Sequence, residues 1–162
     1  MTAIKHICVL TGAGISAESG IKTFRDAGGL WENQPIEAVA TPEGFALNAA
    51  RVHRFYNERR RALKTVEPNP AHIALAALET ALRKTGRQLT LITQNVDDLH
   101  ERGGSKNVIH MHGELLSAMC QNCQEKWPET GDTTPDSICP KCKNSGGPRP
   151  DIVWFGEMPY FM

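Results

Sequence analysis

Four cysteines in the pattern C-x2-C-x15-C-x2-C constrain this chain more than any other feature. They are Cys120, Cys123, Cys139 and Cys142. Each pair makes a tight knuckle, and four thiolates close a tetrahedral zinc site with no open position, which is structural and does not activate water. Residues 118–147 are rich in Pro, Gly, Asp and Thr and lack the apolar content for a core of their own. One bound Zn²⁺ can supply that folding energy instead. A fifth cysteine, Cys8, makes the count odd, which argues against a disulfide framework and for a reducing, cytoplasmic setting. Zinc ribbons can also bind nucleic acid. Here residues 120–142 hold two lysines (Lys126, Lys141) and four acids (Glu125, Glu129, Asp132, Asp136), a net of −2, which is the wrong sign for phosphate. The whole chain balances 18 basic against 18 acidic residues and so lacks the field of a general nucleic-acid binder. No specific nucleic-acid binding is expected.

At 162 residues the chain is long enough for one domain plus a small insert. The longest clean apolar run, Ile73 to Leu78, is far below the ~20 residues that span a bilayer. The apolar block Ile7 to Leu10 is too short for a signal peptide. Lys5 to Leu10 reads as a buried strand that enters a glycine turn, with a helix from about Ser16. Residues 22–41 read as a long ordered loop with one short helical piece. Asn48 to Val66 has helical spacing, with Val52, Phe55, Tyr56, Leu63 and Val66 on one stripe. A second helix runs from Pro70 to Lys84, with Asn69 as N-cap and Gly86 as stop. Strands follow at Gln88–Thr93 and Asn107–Met111, with a short helix at 96–102 between them. The last strand is Asp151–Phe155. This alternation predicts an α/β fold with a parallel, Rossmann-like sheet. That domain takes residues 1–117 and 148–162, and the zinc ribbon is an insert at 118–147.

Gly12-Ala13-Gly14-Ile15-Ser16-Ala17 fits G-x-G-x-x-G/A between a strand and a helix. Such a turn brings backbone N–H groups to a pyrophosphate, although an ordinary tight turn has the same composition. No strand about 20 residues later ends in an acid, so this is not a standard dehydrogenase fingerprint. Gln94, Asn95 and Asp97 sit at the carboxyl end of a strand, where ligands of open sheets bind; the same residues also suit a helix cap. His110 and His112 share a strand face by period two. Arg59 falls on the apolar stripe of its helix, three residues after Tyr56. A guanidinium there either snorkels, pairs with a structural acid, or joins the phenol to hold a carboxylate. Arg60 and Arg61 read as a solvated face.

The run Gly12 to Asp26, which reads GAGISAESGIKTFRD, resembles the NAD-binding signature of the sirtuins, the NAD-dependent protein-lysine deacylases. Further matches follow in order: Thr93-Gln94-Asn95-Val96-Asp97, His112-Gly113-Glu114, the cysteine quartet and Phe155-Gly156-Glu157. The resemblance implies NAD as co-substrate, held by Gly12, Ala13, Gly14, Ser16, Thr23, Phe24, Arg25, Gln94, Asn95 and Asp97. It implies His112 as general base, with Asn95 and Asp97 placing the ribose. Tyr56-Asn57-Glu58-Arg59 is similar to the Y-x-x-R motif of one subclass, which also has a small residue where Ala40 stands before Thr41-Pro42. That subclass prefers negatively charged acyl groups. The substrate site would therefore hold Ala40, Tyr56, Arg59, Val153, Phe155, Gly156 and Glu157. The expected activity is removal of succinyl, malonyl and acetyl groups from lysine in proteins or peptides. Its products are free lysine, nicotinamide and O-acyl-ADP-ribose.

Sirtuins run well beyond the Phe-Gly-Glu motif, through elements that complete the dinucleotide fold and grip the adenosine half of NAD. The chain therefore reads as the first two-thirds of such a domain, incomplete at its C-terminus. Two other readings stay open on the residues alone: a zinc-ribbon, peptide-binding fragment without catalysis, and an NAD-dependent oxidoreductase.

Overall fold

A computed structural model of the chain describes residues 4–22 and 30–162. Strand β1 (His6–Thr11) enters a 3₁₀ helix (Ala13–Ser19). A hairpin of β2 (Leu30–Trp31) and β3 (Gln34–Pro35) leads to α1 (Ile36–Val39) and α2 (Pro42–Leu47). Two longer helices follow, α3 (Ala49–Leu63) and α4 (Pro70–Lys84). After β4 (Gln88–Thr93), α5 (Leu99–Arg102) and β5 (Val108–His110) come three further strands: β6 (Gly113–Cys120), β7 (Lys126–Pro128) and β8 (Pro148–Ile152). β1, β4 and β5 form a parallel sheet in that order, and β7, β6 and β8 form a separate antiparallel one.

The parallel register pairs Thr11 with Thr93 and Thr93 with His110. It lines up the three carboxyl ends, so that Gly12, Gln94 and His112 leave the sheet side by side. Leu89 and Leu91 of β4 are buried with Leu82 of α4. Helix α4 begins as its sequence requires. Asn69 Oδ1 accepts the Ala71 N–H at 2.9 Å, and His72 Nδ1 accepts the Asn69 N–H at 3.3 Å. The result is a capping box with imidazole in the place of a carboxylate. The main core lies where α1, α2 and α3 meet β6 and β8, around Val39, Phe45, Val52, Phe55, Tyr56, Leu63, Leu115, Ile152 and Trp154. Each such side chain contributes about 1.5–3 kcal/mol by burial.

Three expectations need correction. The helix after the glycine turn begins at Ala13 rather than near Ser16; it is 3₁₀, and Gly20 ends it at φ 95°. Asn69 Nδ2 donates to Ile15 O at 2.7 Å and to Ser19 Oγ at 3.0 Å, so a neighbouring side chain satisfies a carbonyl that an α-helix would pair internally. The last strand is Pro148–Ile152, and it pairs with β6 rather than with the parallel sheet. The antiparallel sheet of β6, β7 and β8 thus reaches from Gly113 to Ile152. Finally, Arg60 is not a solvated residue; only 1% of it is exposed. Its guanidinium donates to Leu115 O at 2.9 Å, Asn57 Oδ1 at 2.9 Å and Thr133 Oγ1 at 3.4 Å. Asn57 Oδ1 also accepts the Thr133 N–H at 3.0 Å. Burial lowers the Arg60 pKa; these three acceptors serve its Nε and Nη1, while Nη2 is buried without a partner. Arg60 thereby ties the cysteine segment to α3. Arg61 is exposed and pairs with Asp132.

Candidate functional site

A cavity of about 410 Å³ opens at the carboxyl ends of the parallel strands. Ala13, Ser16, Gln94, Asn95, Asp97 and His112 line one end, and Trp31, Ala40, Tyr56, Val153, Trp154 and Phe155 line the other. Gly156 and Glu157 close it from the C-terminal side. The polar end is cross-braced. Ser16 Oγ has one proton, donated to Asp97 Oδ2 at 3.0 Å, and it accepts the Asn95 Nδ2 amide at 3.0 Å. Asp97 Oδ1 accepts the Leu99 N–H at 3.2 Å, which is the cap role its sequence position also allows. Burial raises the Asp97 carboxyl above its usual range. His72 Nε2 stands 3.5 Å from Ser16 Oγ. Its Nδ1 already accepts at the cap, so Nε2 carries the hydrogen. Gly12 sits close to this group; a Cβ there would lie 3.3 Å from Gln94 Oε1.

His112 is fixed from two sides. Its Nδ1 lies 3.1 Å from Gln94 O. A carbonyl only accepts, so Nδ1 carries the hydrogen and the lone pair of the neutral ring is on Nε2. Gly113 follows at φ 83°, where a Cβ would collide with the Asp151 carbonyl. No other residue can hold that turn without moving β8 away from β6.

His110, two residues earlier on β5, makes the parallel contact one step back. Its Nδ1 is 3.2 Å from Asn95 O, and its Nε2 is 2.8 Å from Glu101 Oε1. Both acceptors lack hydrogens, so the protonated ring can donate from both nitrogens. Burial alone would lower its pKa; the hydrogen bond and charge of Glu101, with Glu114 beyond, outweigh burial and raise it above 6.5. Burial would likewise raise Glu101, and the bond to His110 outweighs it and lowers that pKa. The histidine's contribution to stability is complete below pH 6.5 and fades as pH rises through its raised value. The glutamate's is complete above about 4.5 and fades as pH falls through its lowered value. Glu101→Gln is therefore expected to lower the His110 titration midpoint, read by NMR. A wild-type midpoint at or below 6.5, or one that E101Q leaves unmoved, contradicts the pairing.

The apolar end holds Tyr56, which is fully buried, and Ala40, whose carbonyl accepts the Phe155 N–H at 3.0 Å. Val153 N–H donates to His112 O at 2.9 Å. Glu157 lines the cavity, but its carboxylate is held by Arg149 in a two-pronged pair at 2.7 Å each and by the Trp154 N–H at 2.8 Å. Arg59 does not line the cavity. Its Nη1 donates to Phe55 O at 2.7 Å, and the guanidinium stacks 3.8 Å over the Phe55 ring. It faces Glu58 at 3.6 Å and Glu32 at 3.9 Å, and its Nε is buried without a partner. Thr23, Phe24 and Arg25 lie outside the described residues.

Sequence reasoning passed over His110, Glu101, Trp154 and Arg149. The period-two histidines were a usable signal for His110. An indole in a buried strand was another, because its N–H needs an acceptor. Nothing in the spacing pointed to Glu101 or Arg149.

Some distance away, the four cysteine sulfurs lie within 4.8 Å of one another. Cys120 and Cys142 are 3.7 Å apart, as are Cys123 and Cys139. A tetrahedron with 2.3 Å metal–sulfur bonds has edges of about 3.8 Å. The four sulfurs therefore fit one zinc ion. Among the described residues, no helix is long and apolar enough to cross a membrane.

The sequence profile described as the Sir2 family matches residues 12–161. A Caulobacter vibrioides protein named NAD-dependent protein deacylase is 54% identical over 162 residues, covering 100% of this chain and 68% of that protein. A Bdellovibrio bacteriovorus protein of the same name is 56% identical over 160 residues, covering 98% of this chain and 67% of its own. Among solved structures, a Sir2 homologue bound to ADP-ribose is 43% identical with a TM-score of 0.82, covering 96% of this chain and 61% of that one. A Sir2 homologue–NAD complex is 44% identical with a TM-score of 0.80, covering 96% and 59%. The chain thus spans roughly two-thirds or less of the length of the proteins it matches.

Proposed function

The chain belongs to the Sir2 family, and from that premise we propose that it carries the chemical and acyl-binding part of an NAD-dependent protein-lysine deacylase. One observation supports this most directly. The hydrogen-bonded group of Ser16, Asn95 and Asp97, the His112 imidazole and the apolar pocket of Ala40 and Tyr56 all line a single cavity. The residues at its polar end fit the nicotinamide-ribose half of NAD, with donors from Asn95 and Gln94 and a carboxylate from Asp97. NAD, when bound, supplies the carbon from which nicotinamide leaves and the hydroxyl that takes up the acyl group. The protein's task is to place these groups and to move one proton. His112 presents Nε2 as the base, while Gln94 O holds the ring in the required tautomer. Asn95 and Asp97 orient the ribose, an effect of proximity.

The peptide carrying the acyl-lysine lies along Val153 to Glu157 and pairs with that segment as a strand. The acyl chain runs towards Ala40 and Tyr56. With an acyl group that ends in a carboxylate, Tyr56 donates its hydroxyl and Arg59 turns from the Glu32 side to meet the charge. The reading therefore covers succinyl-, malonyl- and acetyl-lysine, with O-acyl-ADP-ribose as co-product. Thiolate ligands suit a reducing compartment, so the reading places the protein in the cytoplasm.

Paired succinyl- and acetyl-lysine peptides, followed by mass spectrometry with and without NAD, test this on the intact protein. NAD-dependent loss of the acyl group with equal nicotinamide release is expected. Arg59→Met should lower the succinyl kcat/KM about 10- to 100-fold by removing a hydrogen bond to a charged group, with a smaller effect on acetyl. Peptide binding without NAD consumption would favour a binding module. A reduced-cofactor absorbance change would favour an oxidoreductase.

A further inference from the structure

Trp154 is 2% exposed and Tyr56 is fully buried. The indole Nε1–H donates to the Tyr56 hydroxyl oxygen at 3.0 Å. An indole nitrogen has no acceptor capacity, so the direction of this bond is not in doubt. A phenol keeps its O–H near the ring plane and has two positions for it. The indole takes one side of the oxygen, and the phenolic proton is left with the other. Among the described residues that hydroxyl makes no second hydrogen bond. Tyr56 is also one of the residues that line the cavity.

Trp154 is itself clamped. The Arg149 guanidinium stacks 3.6 Å over its ring. The same guanidinium grips Glu157, whose carboxylate accepts the Trp154 backbone N–H. The Phe45 ring lies against the indole at 5.3 Å between centroids. The indole therefore cannot swing to follow the phenol, and the phenol must answer to the indole.

We propose that Trp154 is a positioning residue for acyl selectivity: its indole N–H fills one side of the Tyr56 oxygen and so turns the phenolic proton into the acyl end of the cavity. That proton meets the carboxylate of a dicarboxylic acyl group. An acetyl group, which has no such carboxylate, draws nothing from it. The inference rests on the deacylase reading above and deepens it by naming a second determinant of its substrate class.

The test uses Trp154→Phe, Tyr56→Phe and the double variant in the intact protein, each assayed on matched succinyl- and acetyl-lysine peptides at saturating NAD. In W154F the succinyl-to-acetyl ratio of kcat/KM should fall about five- to tenfold, carried by the succinyl KM rather than by kcat. Y56F should lower the ratio by at least as much, and the double variant should be no worse than Y56F, because the indole acts only through the phenol. A second measurement does not depend on W154F folding. The Trp154 indole N–H resonance, one of three in the protein, should move in Y56F. It should also move in the wild type on adding a succinyl-lysine peptide, and less with an acetyl-lysine peptide. An unchanged ratio in W154F, a double variant that multiplies the two losses, or an indole resonance indifferent to Y56F would overturn the proposal while leaving the deacylase reading intact. A wild-type protein that removes acetyl but not succinyl overturns both this proposal and the acidic-acyl part of that reading, and it does so before any substitution is made.

Discussion

His112→Ala is expected to lower NAD-dependent deacylation by about 10²–10⁴-fold, the usual contribution of a positioned proton acceptor. Zinc content and thermal melting should stay close to wild type. The reasoning starts from the ring's tautomer. Gln94 O takes the Nδ1 hydrogen, so the lone pair on Nε2 is the one basic site the ring offers. Gly113 fixes the backbone after it, since a Cβ there would meet the Asp151 carbonyl. His110 cannot substitute. Both of its nitrogens face acceptors, Asn95 O and Glu101 Oε1, and it does not line the cavity. Truncating His112 therefore removes the base without removing a core side chain. Mass spectrometry of acyl peptides reads the loss, and metal analysis with a melting curve reads the fold. Turnover within tenfold of wild type would mean that another group takes the proton.

The same tautomer argument separates what spacing could reveal from what it could not. Pro70–Lys84 and Gln88–Thr93 form over the residues that their caps and apolar runs mark out, because local signals decide them: Asn69 at the cap, Pro70 after it, Gly86 at the stop. The glycine turn was legible as a turn, but not as the start of a 3₁₀ helix. The amide that takes up Ile15 O comes from Asn69, 54 positions away, and no local pattern carries that. Arg60 failed for a related reason. It was judged against the apolar stripe of its own helix, whereas its burial is set by Leu115 and Thr133 on other elements. Arg59 sat on that stripe in sequence, yet it makes its contacts with Phe55 and the acids Glu32 and Glu58 outside the cavity lining. The strand Pro148–Ile152 was legible as a strand; its partner was not, since only tertiary pairing places it beside β6. Motif residues such as His112 and Glu157 were marked by their fixed neighbours and line the cavity. The residues that hold them, Glu101 and Arg149, carry no local signature.

Removing zinc, by chelation or by Cys139→Ser, is expected to unfold residues 118–147 while the parallel sheet of β1, β4 and β5 keeps its amide protection. Structural zinc binding is worth about 10–16 kcal/mol in small modules at pH 7. Between residues 118 and 147 the segment has little to offset such a loss, since its buried side chains are the ligands Cys120 and Cys139 themselves with Ala118 and Thr133, whereas Leu115 and Ile152 at the far end of the sheet belong to the main core. The consequences reach the cavity by two routes. β8 leads directly into Val153 and Trp154, which form its wall. Thr133 is a partner of Arg60, so loss of the segment strips that buried guanidinium of one acceptor and loosens α3, which carries Tyr56. Hydrogen exchange followed by mass spectrometry should show protection lost over 118–147 first, then over β8 and α3, with acyl turnover lost alongside. The zinc-loaded protein should contain one zinc per chain. Because thiolates must be deprotonated to bind, acid should release the metal and produce the same pattern. Retained protection across 118–147 after complete metal removal would show that the segment holds itself together through its own contacts.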